Sequence, residues 1–241
     1  ELDYPLAETH LAVLLWVPHD DPNDTPFAAP AELTAAAETL AEEAQVRARF
    51  LLTPVDRATV WLWLPLRSPS AFDAVAVARR AGAIHQRVAI AVGEPGAGID
   101  GFRASHRQAA VAREIAVLRR PTARRITAFA EPGLSTVAML RHNLDDTRSW
   151  VAEHLRSLAA HSPTAESLRK TLLVYLQTGF SPKATAALLN LHPNSVKYRV
   201  RRAEDALGRP VTEQVLPTAL ALLAAEWFGD AVLAPRAREI G

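Results

Sequence analysis

The sequence predicts an α+β protein in which a ferredoxin-like α/β sandwich precedes an all-α domain. Strand-like apolar runs alternate with helical patterns as far as Glu131, and two of these runs are close enough to form a hairpin. Beyond Glu131 the sequence holds helical patterns alone. Alternating strands and helices with one central hairpin are typical of a ferredoxin-like sandwich. We therefore expect helices to cover one face of a mostly antiparallel sheet.

The first domain is predicted to follow the order β-α-β-β-α-β-α-β. Short runs rich in apolar, branched and aromatic residues predict strands, which span residues 9–17, 49–53, 59–64, 87–92 and 125–129. Apolar residues at helical spacing predict helices, which span residues 31–46, 70–81 and 102–119, with Gly82 ending the second. An acidic, proline-rich loop over residues 18–30 precedes the first helix. We place the domain boundary so that residues 1–135 form the α/β domain and residues 136–241 the helical domain.

The helical domain contains a predicted helix-turn-helix over about residues 182–207. Ser181-Pro182 and His192-Pro193 each place a proline at the first helical position behind a potential cap, where its missing N–H costs nothing. Between the two helices, Asn190 is suited to the left-handed conformation of a tight turn. Gly208 is suited to end the second helix. Two helices that begin eleven residues apart have the spacing of this DNA-binding motif.

Composition and charge narrow the classes of function. The chain has no cysteine, which excludes disulfides, thiolate metal sites and cysteine nucleophiles, and it has no apolar run long enough to span a bilayer. Residues 1–56 carry eleven acidic side chains against two arginines, whereas residues 192–202 hold four cations and no acid. Such a basic cluster is expected of a phosphate-binding surface. We expect a cytoplasmic protein and, because the chain begins with Glu1, a fragment of a longer one.

The second helix of the motif has an apolar stripe and a polar face. Its apolar residues, spaced three and four apart, must face the domain core; they are Val196, Val200, Ala203 and Leu207. At about 100° per residue, the opposite face contains Asn194, Lys197, Tyr198, Arg201 and Arg202, with Ser195 and Arg199 on its flanks. These amide, phenol and cationic groups can bond base edges and phosphates in a major groove. A helix that is merely solvated would more often mix acids with bases, so DNA binding is the preferred interpretation.

We expect two roles among these side chains. The residues facing the bases or the groove should be Asn194, Lys197, Tyr198 and Arg201. The residues that hold phosphates should be His192, Ser195, Arg199 and Arg202. His192 is in the first place a cap of the recognition helix.

The same residues resemble a known family. The segment LHPNSVKYRVRRAEDALG, residues 191–208, is similar to the C-terminal helix-turn-helix of the PucR/CdaR transcriptional regulators, with Pro193 where an arginine is common. The segment GEPGAGIDGFRASHRQAAVARE, residues 93–114, resembles the GGDEF-like domain that precedes this motif in the CdaR branch. The resemblance implies a transcriptional regulator that binds double-stranded DNA. It also implies a small-molecule effector sensed by a region ahead of this chain.

A diguanylate cyclase needs a Gly-Gly-Asp/Glu-Glu-Phe hairpin whose carboxylates hold magnesium. The corresponding hairpin here is Thr53-Pro54-Val55-Asp56-Arg57, with one carboxylate and no glycine. We therefore expect a catalytically inactive GGDEF-like domain that serves regulation or dimerisation, with no catalytic residue, metal or cofactor. Ser105 and His106 are adjacent and point in different directions on a helix, which disfavours a nucleophile and base pair.

Residues 96–101 satisfy the pattern G-x-G-x-x-G, which cradles a pyrophosphate in dinucleotide-binding folds. The strand before it is not the first of a βαβ unit, so a glycine-rich turn into the helix is favoured. The alternative function is a nucleotide- or metabolite-binding protein, with glycine loop 93–101 and a helical dimerisation module.

The apolar helix over residues 215–228 must be buried in its own domain or in a partner. Since helix-turn-helix proteins commonly bind as dimers, we expect a homodimer.

Overall fold

The computed structural model describes residues 4–18, 29–46, 48–67, 72–118 and 124–234 of the chain. They form two compact units. The first unit holds the described residues up to 117 together with residues 124–135, and the second holds Leu118 and the described residues from 136 onward. Parts of three predicted segments lie outside the described residues, namely residues 19–28 of the acidic loop, Ser70 and Ala71 of the second helix, and Arg119 of the third.

The first unit has the predicted order of strands and helices, with one short strand added. In chain order its elements are β1 (Thr9–Trp16), α1 (Ala29–Glu43), β2 (Leu51–Pro54), β3 (Thr59–Leu66), α2 (Ala74–Ile84), β4 (Ala89–Val92), β5 (Gly96–Ala97), α3 (Gly98–Leu118) and β6 (Ile126–Ala128). The added strand is β5, which is too short to show as a pattern in the sequence.

The described strands form one sheet in the order β2-β3-β1-β4-β6, and β5 pairs with the start of β1. Among them, the pairing of β4 with β6 is parallel and the other pairings are antiparallel. β1 is central and pairs with β3 along its whole length, from Thr9 opposite Leu66 to Trp16 opposite Thr59. The mostly antiparallel sheet expected from the sequence is thus confirmed.

Helices pack on both faces of this sheet. Because successive side chains of a strand point to opposite faces, β1 contributes alternate residues to two cores. Leu11 and Leu15 lie in the core that α1 and α2 cover, whereas Leu14 and Trp16 lie in the core that α3 covers. The expectation that helices cover a single face was wrong. A strand that is apolar on both faces requires cover on both.

Two helix boundaries also differ from the prediction. α2 continues through Gly82 to Ile84, although a glycine inside a helix costs about 1 kcal/mol relative to alanine. A Cβ at Gly82 would lie 2.6 Å from Cδ1 of Ile126, so the glycine allows α2 to pack closely on β6. α3 begins at Gly98 rather than at residue 102.

The remaining elements are helical, as predicted, and no strand follows β6 among the described residues. The α-helices are α4 (Leu134–Val137), α5 (Leu144–Leu155), α6 (Pro163–Gln177), α7 (Pro182–Leu189), α8 (Pro193–Leu207) and α9 (Val215–Phe228). α9 packs against α5 and α6, and it buries Leu222, Trp227 and Phe228. Its apolar surface is therefore covered largely within its own unit. Among the described helices, none is long and apolar enough to cross a membrane.

Candidate nucleic-acid interface

α7 and α8 form a helix-turn-helix with the predicted caps. Ser181 caps α7, where its Oγ accepts a hydrogen bond from the N–H of Ala184 over 3.2 Å. Asn190 ends α7 in the left-handed conformation, with φ 52° and ψ 47°. His192 caps α8, where its Nδ1 accepts from the N–H of Asn194 over 3.2 Å. These caps satisfy N–H groups that have no partner within the helix.

A buried stripe holds α8 in place. Val196, Ala203 and Leu207 are fully buried and Val200 is nearly so, and the helix packs against α6 and α7. Fully burying a valine or leucine side chain contributes about 1.5–3 kcal/mol. Rotating α8 about its axis would expose this stripe, so its outer face is fixed. The apolar stripe predicted from the sequence is confirmed.

The outer face of α8 carries the predicted site residues. The exposed side chains are Asn194, Ser195, Lys197, Tyr198, Arg201 and Arg202, with His192 exposed directly ahead of the helix. Arg199 is half-buried. The structure therefore places all eight residues on α8 or at its cap.

Two arginines of this face have partners within the protein. The guanidinium of Arg202 donates a hydrogen bond from Nη1 to the hydroxyl of Tyr198 over 3.1 Å, and its central carbon lies 5.9 Å from the centroid of that ring. Nη1 of Arg199 donates to Oγ1 of Thr171 on α6 over 3.5 Å. Arg202 is thus held over the outer face, whereas Arg199 is directed towards α6.

Acidic side chains appear only near the end of α8. From Pro193 to Ala203 the helix has none. Oε1 of Glu204 accepts a hydrogen bond from the N–H of Val211 over 3.0 Å, so this carboxylate is directed towards the residues that follow α8. Asp205 is exposed in the last turn. The first eleven residues of the helix therefore present a positive potential, which attracts phosphate.

A groove between α6 and α8 was not predicted from the sequence. Its volume is about 380 Å³, and its lining includes Thr164 and Ser167 of α6 and Tyr198, Arg199 and Arg202 of α8. Three-residue spacing places Thr164 and Ser167 on one face of α6, and this spacing is the feature of the sequence that points to one wall of the groove. The sequence alone does not show that this face meets α8.

In the first unit, the glycine-rich loop packs against its own chain. Gly96 pairs with His10 in the sheet, and the N–H of Gly98 donates to the carbonyl of Glu8 over 2.8 Å. A Cβ on Gly101 would lie 2.0 Å from the carbonyl carbon of Gly96. Glycine at these positions therefore allows α3 to begin directly against β5. This packing accounts for the glycines as a turn into the helix.

The hairpin between β2 and β3 uses its carboxylate within the turn. Oδ1 of Asp56 accepts a hydrogen bond from the N–H of Ala58 over 2.7 Å, a local bond that stabilises turns. Pro54 is opposite Val60 at the end of the ladder. Among the described residues, no three His, Cys, Asp or Glu side chains are grouped as metal ligands would be.

Ser105 and His106 have separate structural partners. Oγ of the buried Ser105 accepts a hydrogen bond from the N–H of Ala12 over 2.8 Å. The ring of His106 lies 4.2 Å from the ring of Trp61 and 5.3 Å from that of Trp63, between centroids. Burial lowers the pKa of His106, and the charge of Arg107 lowers it further. Both residues thus stabilise packing around α3, and their partners are separate.

Two domain families match this chain. The model of the GGDEF-like domain matches residues 1–115, and that of the PucR C-terminal helix-turn-helix domain matches residues 168–224, which include α7 and α8. The purine catabolism regulatory protein of Bacillus subtilis (strain 168) is 34% identical over 70 residues, which are 29% of this chain and 13% of that protein. An uncharacterized protein of Mycobacterium tuberculosis (strain H37Rv) is 40% identical over 73 residues, which are 29% of this chain and 17% of that protein.

These matches span well under two thirds of either relative's length. The crystal structure of a regulator of polyketide synthase expression from Bifidobacterium adolescentis aligns with 93% of this chain and 84% of that chain, at 18% identity and a TM-score of 0.38. The chain thus combines a segment similar to the GGDEF-like domain with a later segment similar to the PucR C-terminal helix-turn-helix domain, which confirms the resemblance drawn from the sequence.

Proposed function

We propose that this protein is a transcriptional regulator that binds double-stranded DNA through α8. The observation that carries the proposal is the exposed, cation-rich face of α8, fixed by a fully buried stripe on its other side. A helix with one such face fits the major groove, which is about 12 Å wide, and helix-turn-helix proteins place their second helix there. The B. subtilis relative is named as a regulator of purine catabolism, which supports the same class of function.

The eight predicted site residues divide into two proposed roles. Those proposed to face the bases or the groove are Asn194, Lys197, Tyr198 and Arg201. Those proposed to hold phosphates are His192, Ser195, Arg199 and Arg202. The hydrogen bond that Arg199 donates to Thr171 supports a position at the edge of the interface for the Arg199 side chain. Arg201 is exposed, and an arginine can bond O6 and N7 of guanine together.

We assign DNA binding to residues 136–241 and a regulatory or dimerising role without catalysis to residues 1–135. The hairpin that would hold magnesium in a cyclase has one carboxylate, and Asp56 uses that carboxylate to bond its own turn. The hairpin also lacks the glycines that a cyclase needs there to admit a guanine nucleotide. The fold is retained without the chemistry, as often occurs in large fold families.

The proposal includes the partners and setting of the protein. It binds DNA as a homodimer, since two-fold symmetric regulators match paired half-sites. A small-molecule effector acts through a sensory region ahead of these residues. We further propose that the protein works in the cytoplasm, where its DNA target would lie, and that it uses neither a membrane partner nor a cofactor.

The test is fluorescence anisotropy with two DNA duplexes, one from upstream of the protein's own gene and one of random sequence, each at low and physiological salt. Arg201→Ala should cost about 1–3 kcal/mol on the specific duplex and reduce selectivity, because a base contact is lost. Lys197→Ala should weaken binding to both duplexes. It should also reduce the slope of log affinity against log salt concentration by about one. Arg103→Ala, which removes an exposed arginine of the first unit, is the control and should change neither.

Equal effects of Arg201→Ala and Lys197→Ala on both duplexes would contradict the division of roles. If the wild-type protein shows no selectivity at either salt concentration, the proposal fails. The nucleotide-binding alternative would then be tested by thermal unfolding with purine nucleotides and cyclic di-GMP. A ligand at 100 times its Kd adds about 2.7 kcal/mol of stability.

A further inference from the structure

The groove between α6 and α8 combines positive charge with hydroxyl donors. One wall is formed by Arg199, Arg202 and Tyr198 of α8, and the other by Thr164 and Ser167 of α6 together with the apolar Pro163 and Leu168. Guanidinium groups bind phosphate oxygens in pairs and retain their charge at any physiological pH. Hydroxyl groups add short, adaptable hydrogen bonds. The groups therefore match an anion with several oxygen atoms.

No acidic side chain is part of the groove lining. Glu166 is the acid in the first turn of α6, and it does not line the groove. The adjacent start of α6 adds positive potential from its backbone dipoles. The groove is thus positive without a built-in counterion among its described lining residues.

The location of the groove indicates what the anion is. Tyr198 and Arg202 belong both to the groove and to the exposed face of α8. Thr164 is also exposed, so the groove is open to solvent beside residues that it shares with that face. A duplex that meets the exposed face would bring its sugar-phosphate backbone along this opening. An extended backbone fits such an open groove better than an enclosed metabolite does.

We propose that the groove binds a backbone phosphate of the same DNA duplex, between Arg199 and Arg202 on one side and Thr164 and Ser167 on the other. This inference rests on the proposed function. Thr164 and Ser167 precede residues 168–224, which match the helix-turn-helix domain family. The DNA interface therefore extends beyond the motif to the first turns of α6, and Thr164 and Ser167 belong to it.

The direct test is Thr164→Glu in the full chain, measured by the same anisotropy titrations over a range of salt concentrations. Thr164 is the second residue of α6, where an acid is favourable for the helix, so stability should stay the same or rise. The carboxylate should repel the phosphate, weaken binding to both duplexes by about tenfold and lower the salt slope by about one. Thr164→Lys should strengthen binding to both duplexes.

The matched control is Gln214→Glu, which adds the same charge at an exposed position of the second unit, outside the groove lining. It should change affinity by less than about twofold, as distant exposed charges are screened. If Thr164→Glu matches this control while Arg201→Ala still loses selectivity, the groove inference is wrong and the proposed function stands. Absence of selective DNA binding by the wild-type chain overturns both.

A second experiment distinguishes a groove that binds the DNA backbone from a groove that binds a free anion. Thermal unfolding is followed in sodium phosphate and in sodium chloride at equal ionic strength, for the wild type and for Thr164→Glu. If phosphate stabilises the wild type alone, and Thr164→Glu leaves DNA affinity unchanged, the groove holds a free anion and the inference is overturned. Loss of DNA affinity in Thr164→Glu, with no loss in Gln214→Glu, supports the backbone phosphate.

Discussion

Tyr198 shows how a side chain's partners limit what it does in an interface. It is 61% exposed on the outer face of α8, which suits contact with DNA. Its hydroxyl already accepts a hydrogen bond from Arg202, and its ring lies beneath the same guanidinium. An arginine held in this way loses less side-chain entropy when it binds phosphate. Tyr198 is therefore a positioning residue for Arg202 as well as a residue of the groove-facing set.

Tyr198→Phe tests this role because it keeps the ring and removes the hydroxyl. We expect weaker binding to specific and random duplexes alike, by about fivefold, which corresponds to the net contribution of about 1 kcal/mol from one typical hydrogen bond. Selectivity should be retained, and Tyr198→Ala should lose more because the ring contact is lost too. Anisotropy titrations with both duplexes provide the measurement. Loss of selectivity in Tyr198→Phe would instead assign the hydroxyl to a base.

At the scale of elements, the predictions that depend on residues close together in the sequence are the ones that the structure confirms. Caps and turns depend on neighbouring residues, so Ser181, Asn190 and His192 were assigned correctly from the sequence. The buried stripe of α8 followed from its periodicity. By contrast, β5 and the groove beside α6 form through contacts between distant segments, which no local pattern records. The second face of the sheet is a different case, because the apolar pattern of β1 already indicates cover on both faces, although it does not show that α3 supplies that cover.

The glycine-rich loop gives an element-scale prediction. Gly101→Ala should destabilise the first unit by more than about 3 kcal/mol, beyond the usual cost of overpacking, because its Cβ would overlap the backbone of Gly96. Gly98→Ala is the matched control, with φ of +62° and open space around the new Cβ, so it should cost about 1–2 kcal/mol. Urea unfolding of each variant measures both costs. A Gly101→Ala protein as stable as the wild type, but impaired in nucleotide binding, would favour the alternative function.

At the scale of the whole molecule, the two units divide the candidate chemistry. The first unit has its own sheet with cores on both faces, and the second contains α8, its supporting helices and the groove. Every residue proposed to contact DNA belongs to the second unit. The candidate interface therefore depends on packing within one unit, which explains why a single helical segment of the sequence was enough to place the eight predicted residues on α8 or at its cap.

Under the proposed function each copy of α8 meets one half-site, so we expect selective binding to use two copies. Two helix-turn-helix units bind half-sites about 34–36 Å apart, one turn of the duplex. We expect light scattering at micromolar concentration to give twice the chain mass of 26.2 kDa. Inserting five base pairs between the half-sites should place them on opposite sides of the duplex and reduce affinity to that of one half-site, whereas ten base pairs should restore part of it. A monomeric mass together with indifference to both insertions would show that one copy binds alone, and the selectivity of α8 would then have to come from a single half-site.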